Sequence, residues 1–169
     1  PVTVNISTAV TGFSESDIQV GNGTVSNFTG SVQNYSFNII PAAEGQVWAY
    51  VPADAALDSN NAGNKESDTL YIVYDVTSPT VIISSSESPL STINPVPFTA
   101  AFSEPVLGFA ADSIDVTHGT VSGLSSAGDS TYSFHVEVES DGIIGISIAS
   151  GRARDLAGNN NIASGDYEV

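Results

Sequence analysis

The chain contains two copies of one long sequence pattern. Residues 10–28 and 106–124 align without a gap, and nine of these nineteen positions are identical. The period of about 95 residues exceeds the roughly 20–50 residues of solenoid repeats, so it predicts two tandem copies of a whole domain. Shorter matches follow in the same order, and they pair Tyr35–Phe37 with Tyr132–Phe134 and Ala62–Asn64 with Ala157–Asn159.

The residue types of both copies favour β-strands. Val, Ile, Thr, Tyr and Phe recur in short alternating runs, which Gly, Asn, Asp, Ser and Pro separate. No segment has the apolar periodicity of a helix. Strands at intervals of 8–12 residues predict an all-β protein of two tandem immunoglobulin-like β-sandwich domains, 1–76 and 77–169. The side chains expected in their cores include Phe13, Phe37, Phe109 and Phe134.

The two copies differ at their first strand. The second copy is predicted to have strands near 79–85, 96–102, 113–117, 120–124, 131–138, 143–149 and 165–169. Its counterparts in the first copy lie near 1–7, 17–21, 24–28, 34–40, 46–51 and 70–76. The first copy has no counterpart of 79–85, and we therefore expect an open sheet edge at residues 1–7.

The charge excludes some partners. Nineteen acidic residues stand against three basic ones, for a net charge of −16. Binding of nucleic acid needs clustered Lys and Arg, so nucleic acid is not an expected partner. Membrane insertion is not expected either, because no apolar run approaches about 18 residues. There is no Cys, and domains of this size can fold without disulfides.

Ordered motifs carry a resemblance to a known family. They are F-S-E-P-V-x-G-F at 102–109, D-I-x-V-x-N-G-T-V at 17–25, D-x-A-G-N at 155–159 and Y-D-V-T-S-P-T at 74–80. Together they resemble the bacterial immunoglobulin-like (Big-type) tandem repeats of large surface adhesins. The resemblance implies secreted domains at the bacterial cell surface, which act as stalks and sometimes bind calcium at domain junctions. The first copy departs from the pattern at Ser7–Ala9, and Asp58–Asn64 is interpreted as carrying an insertion.

Catalytic residues are not evident in the chain. The two histidines, His118 and His135, are replaced by Asn22 and Asn38 in the other copy, and neither lies in a triad motif. Both are interpreted as surface residues. The chain is therefore not expected to be an enzyme.

Calcium is the cofactor that the acidic loops favour. Calcium binds six to eight oxygens from Asp, Glu, Asn and backbone carbonyls. If the strands alternate in direction, Asp75, Glu104, Asp112 and Asp155 converge at one end of the second domain, and Asn159 adds an amide oxygen. The alternative is that Asp and Asn shape these turns through bonds to nearby backbone N–H groups.

Aromatic side chains distinguish the first copy. Val47, Ala49 and Val51 are expected to face the core, so Trp48 and Tyr50 should point outward. Tyr71 would lie beside them if the two strands pair. Exposed aromatic rings in a row can stack on a glycan or dock a host or cell-surface protein. Alternatively, they strengthen cross-strand pairs or pack on a neighbouring segment.

The function favoured by these patterns is mechanical. The chain is predicted to be part of an adhesin stalk that projects a binding module, with neighbouring immunoglobulin-like repeats of the same protein as its partners. One alternative is a carbohydrate- or protein-binding module that uses Trp48, Tyr50 and Tyr71. Another is an accessory region of a secreted hydrolase.

Overall fold

The computed structural model describes residues 1–87 and 92–169, and it consists of strands and loops with very little helix. The chain divides into two compact units, Pro1–Asp75 and Val76–Val169. Each unit contains two antiparallel sheets. Among the described residues, no helix is long and apolar enough to cross a membrane.

The first unit has two three-stranded sheets. One has the order β1-β4-β3, and the other has the order β2-β5-β6. The strand bounds are β1 (Val2–Asn5), β2 (Gln19–Gly21), β3 (Gly23–Ser31), β4 (Asn34–Pro41), β5 (Gly45–Tyr50) and β6 (Leu70–Tyr74).

The second unit repeats this arrangement with one more strand. Its sheets have the orders β7-β8-β11-β10 and β13-β12-β9. The bounds are β7 (Val81–Ser84), β8 (Val96–Phe102), β9 (Asp115–Val116), β10 (Gly119–Ser126), β11 (Thr131–Val138), β12 (Gly145–Ser147) and β13 (Tyr167–Glu168).

Each predicted strand overlaps an observed one, and the strands expected near 17–21 and 113–117 begin two residues late because 3-10 turns precede them. A 3-10 turn occupies Glu15–Asp17, and a second one occupies Ala111–Ser113. In the first of these turns the Asp17 carboxylate accepts hydrogen bonds from the backbone N–H and the hydroxyl of Ser14, at 2.8 and 2.7 Å. These bonds satisfy the polar groups of Ser14 at the start of the turn, so Asp17 adopts the 3-10 conformation instead of joining the strand.

Apolar side chains from both sheets of each unit form its core. Phe37 and Phe134 are buried as predicted, and so is Phe13. Phe109 is half-buried, because it packs edge-on against Phe102 and Tyr132 at the margin of the core. In the first unit, Phe13 makes the same kind of edge contact with Phe28 and Tyr35.

Candidate functional site

A loop of the second unit is organised around Asp155. This side chain is buried, and its Oδ1 accepts hydrogen bonds from the backbone N–H groups of Gly158 and Asn159 at 2.6 and 2.8 Å. Its Oδ2 accepts a bond of 2.9 Å from the side-chain amide of Asn159. The ionised carboxylate suits this loop, because both of its oxygens face N–H donors and the protonated acid would add an O–H donor of its own.

These bonds change the acidity of Asp155. Burial alone would raise the pKa, but the hydrogen bonds from Asn159, Gly158 and Ala157 outweigh it and lower the pKa below the ordinary value of 3.8. In the first unit, Asp58 has the same role. Its pKa is lowered chiefly by bonds from the backbone N–H groups of Ala62 and Asn60.

A buried asparagine, Asn161, holds the same loop in place, and the comparison of the two copies did not single it out. Asn161 Oδ1 accepts a 2.8 Å bond from Ala153 N–H, and its amide donates to the carbonyls of Ala149 and Ile162. Asn64 makes the corresponding bonds to Ala56, Pro52 and Lys65.

The bonding pattern corrects two sequence interpretations. Asn64 corresponds to Asn161 and Asp58 corresponds to Asp155, so the two loops have equal lengths. The alignment of Ala62–Asn64 with Ala157–Asn159 was therefore wrong, and Asp58–Asn64 carries no insertion. Tyr132 follows Tyr35 by 97 residues. The same offset, applied to the later loops, pairs Asn64 with Asn161.

Three of the predicted metal ligands lie close together. Carboxylate oxygens of Asp75, Glu104 and Asp155 are within 4.8 Å of one another. Asp75 directly precedes Val76 in the chain, which is the first residue of the second unit. Asp112 is not part of this group, because it lies exposed in the 3-10 turn at Ala111–Ser113. Asn159 adjoins the group through its bond to Asp155.

The donor chemistry of this acidic group fits a hard divalent cation. Its ligand atoms are carboxylate oxygens, which calcium prefers. Oδ1 of Asp155 accepts hydrogen bonds from two backbone N–H groups, and Oδ2 accepts one from the Asn159 side-chain amide. The whole chain has only three basic residues for nineteen acidic ones, so few of its carboxylates can be neutralised by Lys or Arg.

The aromatic side chains of the first unit lie on paired strands. Trp48 and Tyr71 are direct cross-strand partners in β5 and β6. The rings of Trp48 and Tyr50 are 6.0 Å apart at an interplanar angle of 31°. Tyr71 is exposed, and the other two are half-buried. We refer to Trp48, Tyr50 and Tyr71 as the aromatic platform.

A glycine lies directly beneath the platform. A Cβ atom on Gly21 would come within 2.1 Å of Cε2 and Nε1 of Trp48, so the indole covers this backbone. In the second unit the order of large and small residues is reversed. Thr117 stands at the position of Gly21, and the small Gly145 opposite it stands at the position of Trp48. The sequence showed the outward aromatics but gave no sign that Trp48 depends on Gly21.

Both histidines are exposed, and the contacts of His118 indicate a structural role in a turn. His118 has a φ of 58° in the turn between β9 and β10, and its Nδ1 is 3.0 Å from the carbonyl of Ile143. Asn22 occupies the corresponding turn at a φ of 55° and bonds the carbonyl of Ala43. The left-handed backbone explains why His and Asn replace one another here. His135 is exposed on β11.

Comparison with known proteins gives a family match over nearly the whole chain. The family model described as "Bacterial Ig-like domain" matches residues 1–72 and again residues 75–169. Searches of curated proteins and of solved structures found no significant match.

Proposed function

Because the chain belongs to the bacterial Ig-like domain family, we propose that it is a structural spacer in a secreted cell-surface adhesin. One observation supports this most: two matches to the same domain follow each other with two residues between them. Domains of this family are commonly extracellular or surface-associated, and they are typically not catalytic. A spacer repeats one stable fold and needs no site of its own, since its task is to hold a binding module away from the cell.

Surface labelling tests the location and the role together. An antibody raised against the chain should label intact bacterial cells of the source, and brief protease treatment of those cells should remove the label. Deletion of both domains from the parent protein should reduce adhesion while leaving the isolated binding module able to bind its receptor. Labelling only after permeabilisation would contradict the proposal, and so would a parent gene with a hydrolase domain and no further repeats.

We also propose that the acidic group of Asp75, Glu104 and Asp155 binds calcium. Three carboxylates within 4.8 Å repel one another, and a divalent cation relieves that repulsion. Asp155 would bind through Oδ2, since Oδ1 is occupied by the loop N–H groups. A stalk in calcium-containing surroundings would gain stability from such a site, because calcium binds only the folded form.

Thermal unfolding in calcium and in chelator tests this site. At a calcium concentration about 100 times Kd, the linkage is worth about 2.7 kcal/mol, which raises the melting temperature of the second domain by on the order of 10 °C. Glu104→Gln should remove most of this increase, because it takes one carboxylate ligand away from the acidic group. Asp112→Asn is the matched control and should leave the increase unchanged. Equal calcium responses in both variants would contradict the site.

A second candidate function is glycan binding by the aromatic platform. The specific observation is the seating of Trp48 over Gly21, which sets the indole along the sheet beside Tyr50. Rings held in this way can stack on the apolar face of a sugar. A glycan array should then give a signal that Tyr71→Ala and Trp48→Ala abolish. Tyr74→Ala, on the same strand, is the control and should bind normally. An array without signal would leave the spacer role alone.

A further inference from the structure

Uncharged polar side chains border the aromatic platform on the outward face of the sheet β2-β5-β6. Gln19 of β2 is the cross-strand partner of Tyr50, and Gln46 of β5 is the partner of Val73. Both glutamines are exposed. Because alternate side chains of a strand point to the same face, Gln46, Trp48 and Tyr50 form one row along β5. One amide therefore stands at the end of this row, and a second stands beside it.

This face carries no charge. In the described structure, β2, β5 and β6 contain no charged residue, although the whole chain has nineteen acidic ones. A ligand on the face therefore meets aromatic rings and amides instead of carboxylates. The net charge of −16 still repels anions at longer range.

The corresponding face of the second unit has the opposite chemistry. The strand registers match four positions of the two faces, namely Gln19 with Asp115, Trp48 with Gly145, Tyr50 with Ser147 and Tyr71 with Glu168. Carboxylates and small residues thus replace the amide and the rings, and they line a depression of about 410 Å³. The same three-stranded sheet forms in both units, so the fold itself does not require the aromatic side chains.

The residue types of the first face match the two kinds of surface on a neutral sugar. Aromatic rings stack on its apolar C–H faces, and each side-chain amide offers donors and an acceptor to its hydroxyl groups. A cation held over aromatic rings gains from nearby carboxylates, which the strands of this face lack. A protein partner fits less well, because the outward side chains of three short strands are far fewer than the roughly 20–30 residues on each side of a stable protein interface.

We propose that this face binds an extended, neutral oligosaccharide whose chain runs along β5. Trp48 and Tyr50 stack on successive sugar units, since their ring centroids are 6.0 Å apart and their planes are only 31° from parallel. Gln19 and Gln46 bond the hydroxyl groups of the same units. This inference rests on the glycan binding proposed above, and it adds the ligand class and the two amide contacts.

Calorimetric titration of the full chain with matched glycans tests the ligand class. Cellohexaose and chitohexaose are the neutral probes. Cellohexaose oxidised to a carboxylate on each sugar is the anionic probe, and deacetylated chitohexaose is the cationic one. At about 0.15 M salt, exposed charges more than about 8 Å apart are largely screened, so the contacts of the face itself decide the affinity. We expect at least one neutral hexamer to bind at least about tenfold more tightly than its charged form.

Two variants test the amide contacts. Gln19→Ala and Gln46→Ala should each raise the Kd of that neutral hexamer about three- to tenfold, because each removes hydrogen bonds to hydroxyl groups. Thr24→Ala is the matched control, since Thr24 is an exposed polar residue on β3 of the other sheet, and it should leave the Kd unchanged. Thermal melts of the three variants should match that of the parent, because all three side chains are exposed.

The outcomes separate the ligand class from glycan binding as such. Tighter binding of either charged hexamer than of its neutral form would overturn the present inference and leave glycan binding by the platform in place. Equal Kd values for the parent, Gln19→Ala and Gln46→Ala would do the same. Failure of all four hexamers to bind at millimolar concentration would overturn both, and it is the result expected if the face binds a protein.

Discussion

Single polar side chains fix the longest irregular segments of both units. Asn161 makes three hydrogen bonds while 2% exposed, and Asn64 repeats them in the first unit. A strand ladder satisfies its own backbone groups, but a loop needs side chains for this purpose. The side-chain amide offers one acceptor and two donors, which is the combination that the three backbone groups require.

Loss of Asn161 should therefore be costly. Asn161→Ala leaves one buried N–H and two part-buried carbonyls without this partner, so we expect a loss of about 2–4 kcal/mol in the unfolding free energy of the second domain. Denaturant titration followed by circular dichroism measures this loss. The neighbouring Asn160 is exposed, and Asn160→Ala should change the stability by less than about 0.5 kcal/mol. Similar values for both variants would contradict the role of Asn161.

Acid should weaken both loops. The folded pKa of Asp155 and that of Asp58 lie below 3.8, so the folded state favours their ionised forms. Their contribution is complete above the ordinary pKa and is lost as the pH falls through the lower folded pKa. Melting temperatures measured in chelator from pH 5 to pH 2 should fall most steeply below about pH 4. In Asp155→Asn the second domain should show a flatter profile, and an unchanged profile would contradict this cause.

At the scale of strands, both copies pair a large residue with a glycine on adjacent strands, but in opposite order. In the first unit a large Trp48 covers Gly21, and in the second unit Thr117 lies beside Gly145. The pairing of large with small on adjacent strands keeps the sheet surface filled. A glycine on a strand is weak by itself, and an aromatic ring on the neighbouring strand compensates for its missing side chain.

An exchange of these pairs tests the coupling. Gly21→Thr alone should push the indole aside and destabilise the first domain by about 1–3 kcal/mol. It should also change the fluorescence of Trp48, which is the only tryptophan. The double variant Gly21→Thr/Trp48→Gly copies the second unit, and most of the lost stability should return. Additive losses in circular dichroism melts would show that the two positions are independent.

The elements were more predictable than their ends and their loops. Alternating apolar residues located every strand, because one buried sheet face leaves a period of two in the sequence. The two 3-10 turns were missed, since their bonds arise from short local motifs that also suit a strand start. The equivalence of the two loop asparagines was missed because the tripeptide Ala-Gly-Asn, which occurs in both copies, shifted their alignment by two residues. The acidic group was placed only in part, since Asp112 lies in a turn whose direction no periodicity indicates.

At the scale of the whole molecule, the two domains share a plan but differ in the size of their buried cores. The second has the edge strand β7 and a core cluster of fourteen buried residues, whereas the first has a smaller cluster of seven. Hydrophobic burial is the main driving force for folding, so we expect the first unit to be less stable than the second.

Unfolding should consequently proceed in two steps. We expect the first domain to unfold at a lower denaturant concentration, and its backbone amides to exchange faster than those of the second domain. Hydrogen exchange by mass spectrometry reports both domains in one experiment. A single transition with equal protection would show that the first domain closes its core by other means.

The spacing between the two copies grows from 96 to 97 residues between Ser26 and Tyr35, within the hairpin that joins β3 to β4. The extra residue of the second copy lies near Ala127 and Gly128, which are exposed. The carbonyls of Asp129 and Ser130 still accept hydrogen bonds from the loop after β8 and from the last residue of β8, as their counterparts do in the first copy. A length change was thus absorbed at the tip without altering the docked part of the loop. This tip is the position at which an epitope tag or a foreign peptide can be displayed with the least disturbance of the fold.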